Sequence, residues 1–365
     1  MKITKVVPRV IRRPMGGRVW NPRIRWHEKV IVLVFVETDS GDVGVGEAWA
    51  SGGSPEALVR TLEDDLAPLV VGEDPAYLAR VWERAFRSTE ISARPGIVSA
   101  ALSAVDTALW DLLGKALRTP LYKLLGAHAD AVYCYASAGL YGEGKTPDDL
   151  AREMAGYVAQ GFTGVKLKVG GALLAEDVAR VAAVREAVGP GVRLMVDAVY
   201  NLSVPEAIRL ARALAPYDIY WLEAPVSPRD VAGQARVNAA GPIPVCGNET
   251  EHGRDRFRDL ITAGAVEFVQ FDVAACGGIS EGRRIADLAA AFHRPCSLHA
   301  ASSAVLMAAS LHLGAALPNC DSIEYHMLHQ WLWDLVPAGT FAVRQGYVRP
   351  PDGPGLGLAL TADDV

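Results

Sequence analysis

The chain has 365 residues, half of them apolar, with 36 basic and 42 acidic side chains and a formal net charge of −6. That length suits two domains, or one large barrel with an appendage, and the apolar half can fill a sizeable core. The acidic balance and the lack of a Lys/Arg run exclude a general nucleic-acid binder. No apolar stretch of about 18 residues is expected in the chain, so no membrane span is expected.

The start, MKITKVVPRVIRRP, has no apolar block of the kind that marks a secretory leader. Residues 1–125 read as one α+β unit. KVIVLVFVET (29–38) and VGVGEAW (43–49) are strand-like, and DSGD between them is a turn signal. Helical patterns follow: SPEALVRTLEDDLAPLV, opened by Ser54-Pro55, then AYLARVWERAF and IVSAALSAVDTALWDLLGKAL.

From about residue 131 the rhythm changes. The β-rich runs AVYCYAS, GVKLKV, VRLMVD, IYWLE, IPVCGNE, VEFVQFD, RPCSLH and DSIEY alternate with helical segments such as PEAIRLARALA and EGRRIADLAAAF. Eight such units predict a closed parallel α/β barrel, a modified TIM barrel, over 126–335. The tail, 336–365, is rich in turn residues and is expected to return to the first unit. Cys134, Cys246, Cys276, Cys296 and Cys320 are odd in number, scattered and free of any CxxC. They read as buried thiols in a reducing cytoplasm, with no structural zinc.

A polar residue closes one strand run after another: Lys168, Asp197, Glu223, Glu249, Asp272, His299 and Glu324, spaced 23 to 29 residues apart. Strand C-termini line the active-site mouth of such barrels. One Asp after an apolar run is more often a helix cap than a ligand, but a register kept through six successive units is not explained that way. Asp197, Glu223 and Glu249 come from adjacent strands and would repel one another without a cation among them; their hard oxygens select Mg²⁺, with Mn²⁺ the second choice.

GVKLKVG (164–170) alternates with period two, so Lys166 and Lys168 point to one side. Their Cα atoms stand roughly 6.6 Å apart at ~3.3 Å per residue. At that spacing repulsion is about 2.5 kcal/mol for an effective dielectric near 20, enough to lower one lysine toward a neutral-pH base. Across the mouth, Asp272 orients and strengthens His299 as a second base. Glu324, if protonated, would donate a hydrogen bond to an anionic oxygen. Together the set suits abstraction of a proton next to a carboxylate, followed by loss of a neighbouring hydroxyl as water.

The motifs KLK (166–168), MVDA, WLEAPV, GNET, FDVAACGG, SLH and IEY, in that order, resemble the enolase superfamily and, within it, the mandelate racemase group. The resemblance spans essentially the whole chain. It implies a capping domain over a (β/α)7β-like barrel, Mg²⁺ on Asp197, Glu223 and Glu249, Lys168 and the His299–Asp272 pair as bases, Lys166 on the substrate carboxylate and Glu324 as a donor facing it. Val199 departs from the D-x-N pattern of many relatives, and Ala224 replaces a common acid. GNETEHGRDRF also resembles the matching run of relatives acting on galactaric lactone.

Most relatives resembling this chain dehydrate sugar acids, so a lyase acting on an aldonate or aldarate is expected. The alternatives are a racemase, epimerase or lactone cycloisomerase on the same site, then a Schiff-base aldolase or a barrel that only binds sugar acids. Substrate selection is expected from RVWNPRIRWHEK (18–29), through Trp20, Arg25, Trp26 and His27, and from a lid at ASGGSPE (50–56). A small hydroxy acid is the expected partner, and the enzyme is expected to be a cytoplasmic homo-oligomer.

Overall fold

The computed structural model describes residues 1–50, 54–92 and 95–365. Four strands open the chain: β1 (Ile3–Pro14), β2 (Val19–Trp20), β3 (Glu28–Thr38) and β4 (Val43–Ala48). β1, β3 and β4 form an antiparallel sheet in that order. The alternation in VGVGEAW gives β4 two different faces. Gly44 and Gly46 lie against the helix Pro95–Ala116, where an added Cβ would stand 2.1 Å from the Ala108 carbonyl oxygen or 2.0 Å from that of Ala104. Only glycine permits that approach. Val45, on the opposite face, packs into the barrel-side core.

Contrary to the expectation of no such stretch, the segment Gly96–Ala116 within that helix is long and apolar enough to cross a membrane by length and composition. Its window is 78% buried inside the fold. Two of its acids are fixed there: Asp106 accepts from Ser280 N at 2.8 Å, and Asp111 accepts from Val45 N at 3.0 Å and Leu356 N at 2.8 Å. It is the core helix joining the first unit to the barrel.

The barrel strands are β5 (Val132–Ser137), β7 (Gly164–Lys168), β8 (Arg193–Asp197), β9 (Ile219–Glu223), β10 (Val245–Gly247), β11 (Phe268–Asp272), β12 (Cys296–His299) and β13 (Cys320–His326); β6 (Tyr141–Gly142) is a short insert pairing with β2. All eight barrel strands are parallel, and β13 pairs with β5 to close the ring. Helices fill the seven connections between them, and a 3-10 turn, Met327–Trp333, follows the last strand. This is the (β/α)7β arrangement. Inside the barrel Tyr135, Met195, Trp221 and Cys246 form a compact apolar layer below the polar strand ends.

The tail touches both units. β14 (Tyr347–Val348) runs antiparallel to β5. Beyond it, Gly355 O accepts from Leu121 N at 2.8 Å, and Ala362 O accepts from Arg9 Nε at 3.2 Å. The five cysteines are unbridged.

Candidate active site

Strand register brings the polar ends together. Lys168 is opposite Asp197, Asp197 opposite Glu223, and Asp272 opposite His299. Period two then turns each of them to the same side as the residue two places back, so the inner layer of one strand lies beside that of the next. Glu249 reaches the ring two residues past the end of β10.

Lys166 is fully buried below the mouth. Its Nζ lies 3.2 Å from Glu324 Oε1 and 3.9 Å from Asp197 Oδ2, it donates to Glu223 Oε1, and it stands 5.2 Å from the Tyr135 ring centre. Burial works to lower its pKa, but the Glu223 and Glu324 carboxylates overcome this and hold it well above the ordinary lysine value. The lowering expected for one lysine of the pair does not fall on Lys166, whose ammonium sits among carboxylates. Lys168 donates to Asp197 Oδ2, and its side chain faces the mouth.

His299 Nδ1 lies 2.6 Å from Asp272 Oδ2, so Nδ1 carries the proton. Its Nε2 lies 3.3 Å from Glu324 Oε2. Burial pulls the imidazole down, while Glu324, Asp272 and Glu249 push it up, to about 9. Glu324 is held well below the ordinary carboxylate range: burial opposes this, but Lys166 and His299 prevail. In the free protein it is an ionised acceptor between two cations, where the sequence reading expects a protonated donor toward substrate. Both of its oxygens are buried, and neither makes a well-aligned hydrogen bond within the protein.

Asp197, Glu223 and Glu249 form an all-oxygen set from three successive strand ends, exposed by only 4%, 1% and 8%. Their present partners are Lys168 for Asp197, Lys166 and the Trp221 indole for Glu223, and the Tyr200 hydroxyl for Glu249. Turned to those partners, no trio of His, Cys, Asp or Glu among the described residues encloses an ion. The chemistry of the set nevertheless fits a hard divalent cation. Burial, opposed by Lys166 and reinforced by Asp197, pushes Glu223 up to about 8, and burial likewise raises Glu249. A doubly charged ion relieves that cost and competes with a single ammonium for a rotatable carboxylate. The chemistry of the donors decides over their present rotamers.

The turns after two of these strands are wound left-handed: Val199 and Tyr200 have φ of 48° and 58°, and Ala224 has φ of 44°. Asp197 Oδ1 accepts from Val199 N at 2.8 Å, which fixes the carboxylate while the turn carries Tyr200 to Glu249. Such conformations are costly for a β-branched residue and cluster at functional sites.

A cavity of about 360 Å³ opens above this floor. Lys168, Asp197, Glu249, His299 and Glu324 line it, and so does Trp26 from the 18–29 stretch. Lys166, Glu223 and Asp272 lie beneath. Trp20, Arg25 and His27 do not line it. The Arg25 guanidinium stacks on Trp20 at 4.0 Å, and β2 ties Trp20 to Tyr141, so this pair braces the loop instead; His27 is exposed beside Gly17. Asn21, Arg23 and Ile24 take the places expected for them. The centre of the expected lid, 51–53, falls outside the described residues.

Sequence reasoning missed several lining groups. Trp49 covers His299, with ring centres 5.3 Å apart. Lys29 donates to Ala301 O at 2.9 Å. His326 and His329 line the wall beyond Glu324. His326 was legible: it stands two residues after Glu324, hence on the same inward face.

A closed (β/α)7β barrel, capped by an α+β domain and ringed by lysine, carboxylate and histidine at its strand ends, defines an acid-handling barrel enzyme class. The enolase C-terminal domain-like family matches residues 149–365, and the mandelate racemase/muconate lactonizing enzyme N-terminal domain matches 19–126. The chain belongs to the enolase superfamily, in its mandelate racemase group. Among its relatives is the arabinonate dehydratase of Saccharolobus solfataricus, 36% identical over 334 residues, covering 92% of this chain and 89% of that protein. The D-galactarolactone cycloisomerase of Agrobacterium fabrum is 34% identical over 373 aligned positions, covering 100% and 97%. A magnesium-bound racemase structure from Streptomyces coelicolor A3(2) superposes with a TM-score of 0.90 at 32% identity, covering 98% of this chain and 97% of that one.

Proposed function

We propose that this protein is a Mg²⁺-dependent dehydratase of a sugar acid. The observation that carries the reading is the placement of two proton-handling groups, Lys168 and the Asp272-backed His299, around one cavity above three buried carboxylates. Asp197, Glu223 and Glu249 would hold the cation; Mn²⁺ suits the same donors. When bound, it supplies positive charge where the substrate carboxylate becomes more negative as its α-proton leaves.

The protein's own groups do the rest. Lys166 presents a permanent ammonium beside the carboxylate end. Lys168 takes or returns a proton at the α-carbon from the β7 side. His299, protonated near neutral pH through Glu324 and Asp272, delivers a proton to the departing hydroxyl. Trp49 and Trp26 exclude water above it. A Schiff base on Lys166 is disfavoured, because an ammonium held charged among carboxylates is a poor nucleophile.

The relatives support both dehydration and cycloisomerisation: the dehydratase at 36% identity and the cycloisomerase at 34% are nearly equidistant. Two proton-handling groups lining one cavity serve either outcome. The deciding experiment incubates purified protein and Mg²⁺ with a library of mono- and diacid sugars and analyses the products. A 2-keto-3-deoxy acid, one water lighter than its substrate, supports the dehydratase. A product isomeric with its substrate replaces it with the epimerase or cycloisomerase reading.

A further inference from the structure

The cavity has a second polar wall that the chemistry above does not use. His326 and His329 are 3% and 1% exposed, their rings stack with centres 4.0 Å apart and planes 13° from parallel, and both line the cavity. His326 Nδ1 and both nitrogens of His329 are buried without a hydrogen-bond partner. Burial holds both rings neutral, His326 down at about 3 and His329 well below its ordinary value. A neutral imidazole offers one N–H and one lone pair. His329 therefore carries, within the cavity wall, an unmet donor and an unmet acceptor, a pair normally satisfied by a ligand or water.

We propose, building on the sugar-acid reading, that His326 and His329 form a distal subsite for hydroxyl groups of the substrate chain, making the preferred substrates polyhydroxylated monoacids rather than diacids. A hydroxyl both donates and accepts, so it matches His329; a carboxylate only accepts and leaves the lone pair unmet. Charge agrees. Among the described residues, six buried carboxylates, Glu47, Asp197, Glu223, Glu249, Asp272 and Glu324, stand in or beneath this region against three lysines, Lys29, Lys166 and Lys168. A second carboxylate would deepen that imbalance. Arg23, the remaining cation on the lining, is exposed at the rim, where water screens it.

The test uses the full chain with Mg²⁺ and three probe sets: five- and six-carbon aldonates, the matching aldarates, and aldonates lacking one hydroxyl on either of the last two carbons. The fully hydroxylated aldonate should exceed both other sets by about tenfold or more in kcat/KM, the scale of one lost buried hydrogen bond. In His329→Phe, which keeps the ring stack and removes both polar nitrogens, the preference over the deoxy probe should shrink to about threefold or less, mainly through KM, and His329→Gln should restore part of it. Full preference retained in His329→Phe overturns the subsite. Aldarates preferred by the unmodified protein overturn it with no variant needed. If no probe is dehydrated but calorimetry shows the same hydroxyl preference and its loss in His329→Phe, the dehydratase reading fails and the subsite stands.

Discussion

Asp272 and His299 are register partners on neighbouring parallel strands, and their side chains meet at 2.6 Å between Oδ2 and Nδ1. The barrel register itself builds this pair, and Trp49 from the capping domain covers it. Replacing Asp272 by Asn should leave the fold intact, remove the charge that favours the imidazolium and lower kcat by at least about 100-fold, the low end for general acid–base catalysis. The check is kcat together with the His299 titration followed by NMR. An unchanged kcat would remove the pair from the mechanism.

The same pair sets a pH dependence. His299 is raised in the folded protein from 6.5 to about 9. A raised pKa contributes stability that is fully present below about 6.5 and is lost as pH rises through about 9. In metal-free protein, the stability difference between the parent and His299→Asn should therefore shrink between pH 6.5 and 9. Thermal unfolding of both proteins across that range checks the sign. A difference that grows with pH would contradict it.

Metal removal is the third expectation. EDTA should abolish activity, and Mg²⁺ should restore it. Glu249→Gln should weaken binding of the ion, read by calorimetry, while leaving the unfolding cooperative. Full turnover in metal-free protein would refute the assignment of Asp197, Glu223 and Glu249.

Glu47 ties the two units together. Its carboxylate accepts from Ser303 Oγ and, at 3.2 Å, from Leu306 N at the start of the helix that follows His299. Glu47→Ala leaves both donors buried and unmet, a cost of about 1–3 kcal/mol. Denaturant unfolding measures it; a loss well under that range would mean water replaces the carboxylate.

Val199 holds a left-handed conformation that its branched side chain resists. Val199→Asn should raise stability by about 1 kcal/mol, because Asn tolerates this region. A lower stability than the parent would show that the valine side chain contributes packing that outweighs the strain.

The barrel was legible because each strand run ended in a polar residue at nearly constant spacing, and period two put Lys166 and Lys168 on one side. The ionisation of Glu324 and Lys166 was not. It depends on which carboxylate meets which ammonium across the ring, and distances between non-neighbouring strands leave no trace in local pattern. The lining of the cavity by Asn21, Arg23 and Ile24 rather than Trp20, Arg25 and His27 escaped for a similar reason. Pairing of β2 with β6 decides which side of that loop faces inward, and the partner lies more than 100 residues away. The long helix after residue 95 carries Asp106 and Asp111 inside its apolar run, and these charges mask its apolar character in the sequence.

Lys168 at the α-carbon and His299 at the departing hydroxyl are the central claim, and hydrogen exchange separates them. A substrate found in the product screen is incubated in D₂O with Mg²⁺ and the parent, His299→Asn or Lys168→Ala protein, and α-deuterium is followed by NMR. With Lys168 as the abstracting base, His299→Asn should incorporate deuterium without releasing the dehydrated product, and Lys168→Ala should do neither. Dehydration by both variants at the parent rate would contradict the two-sided site.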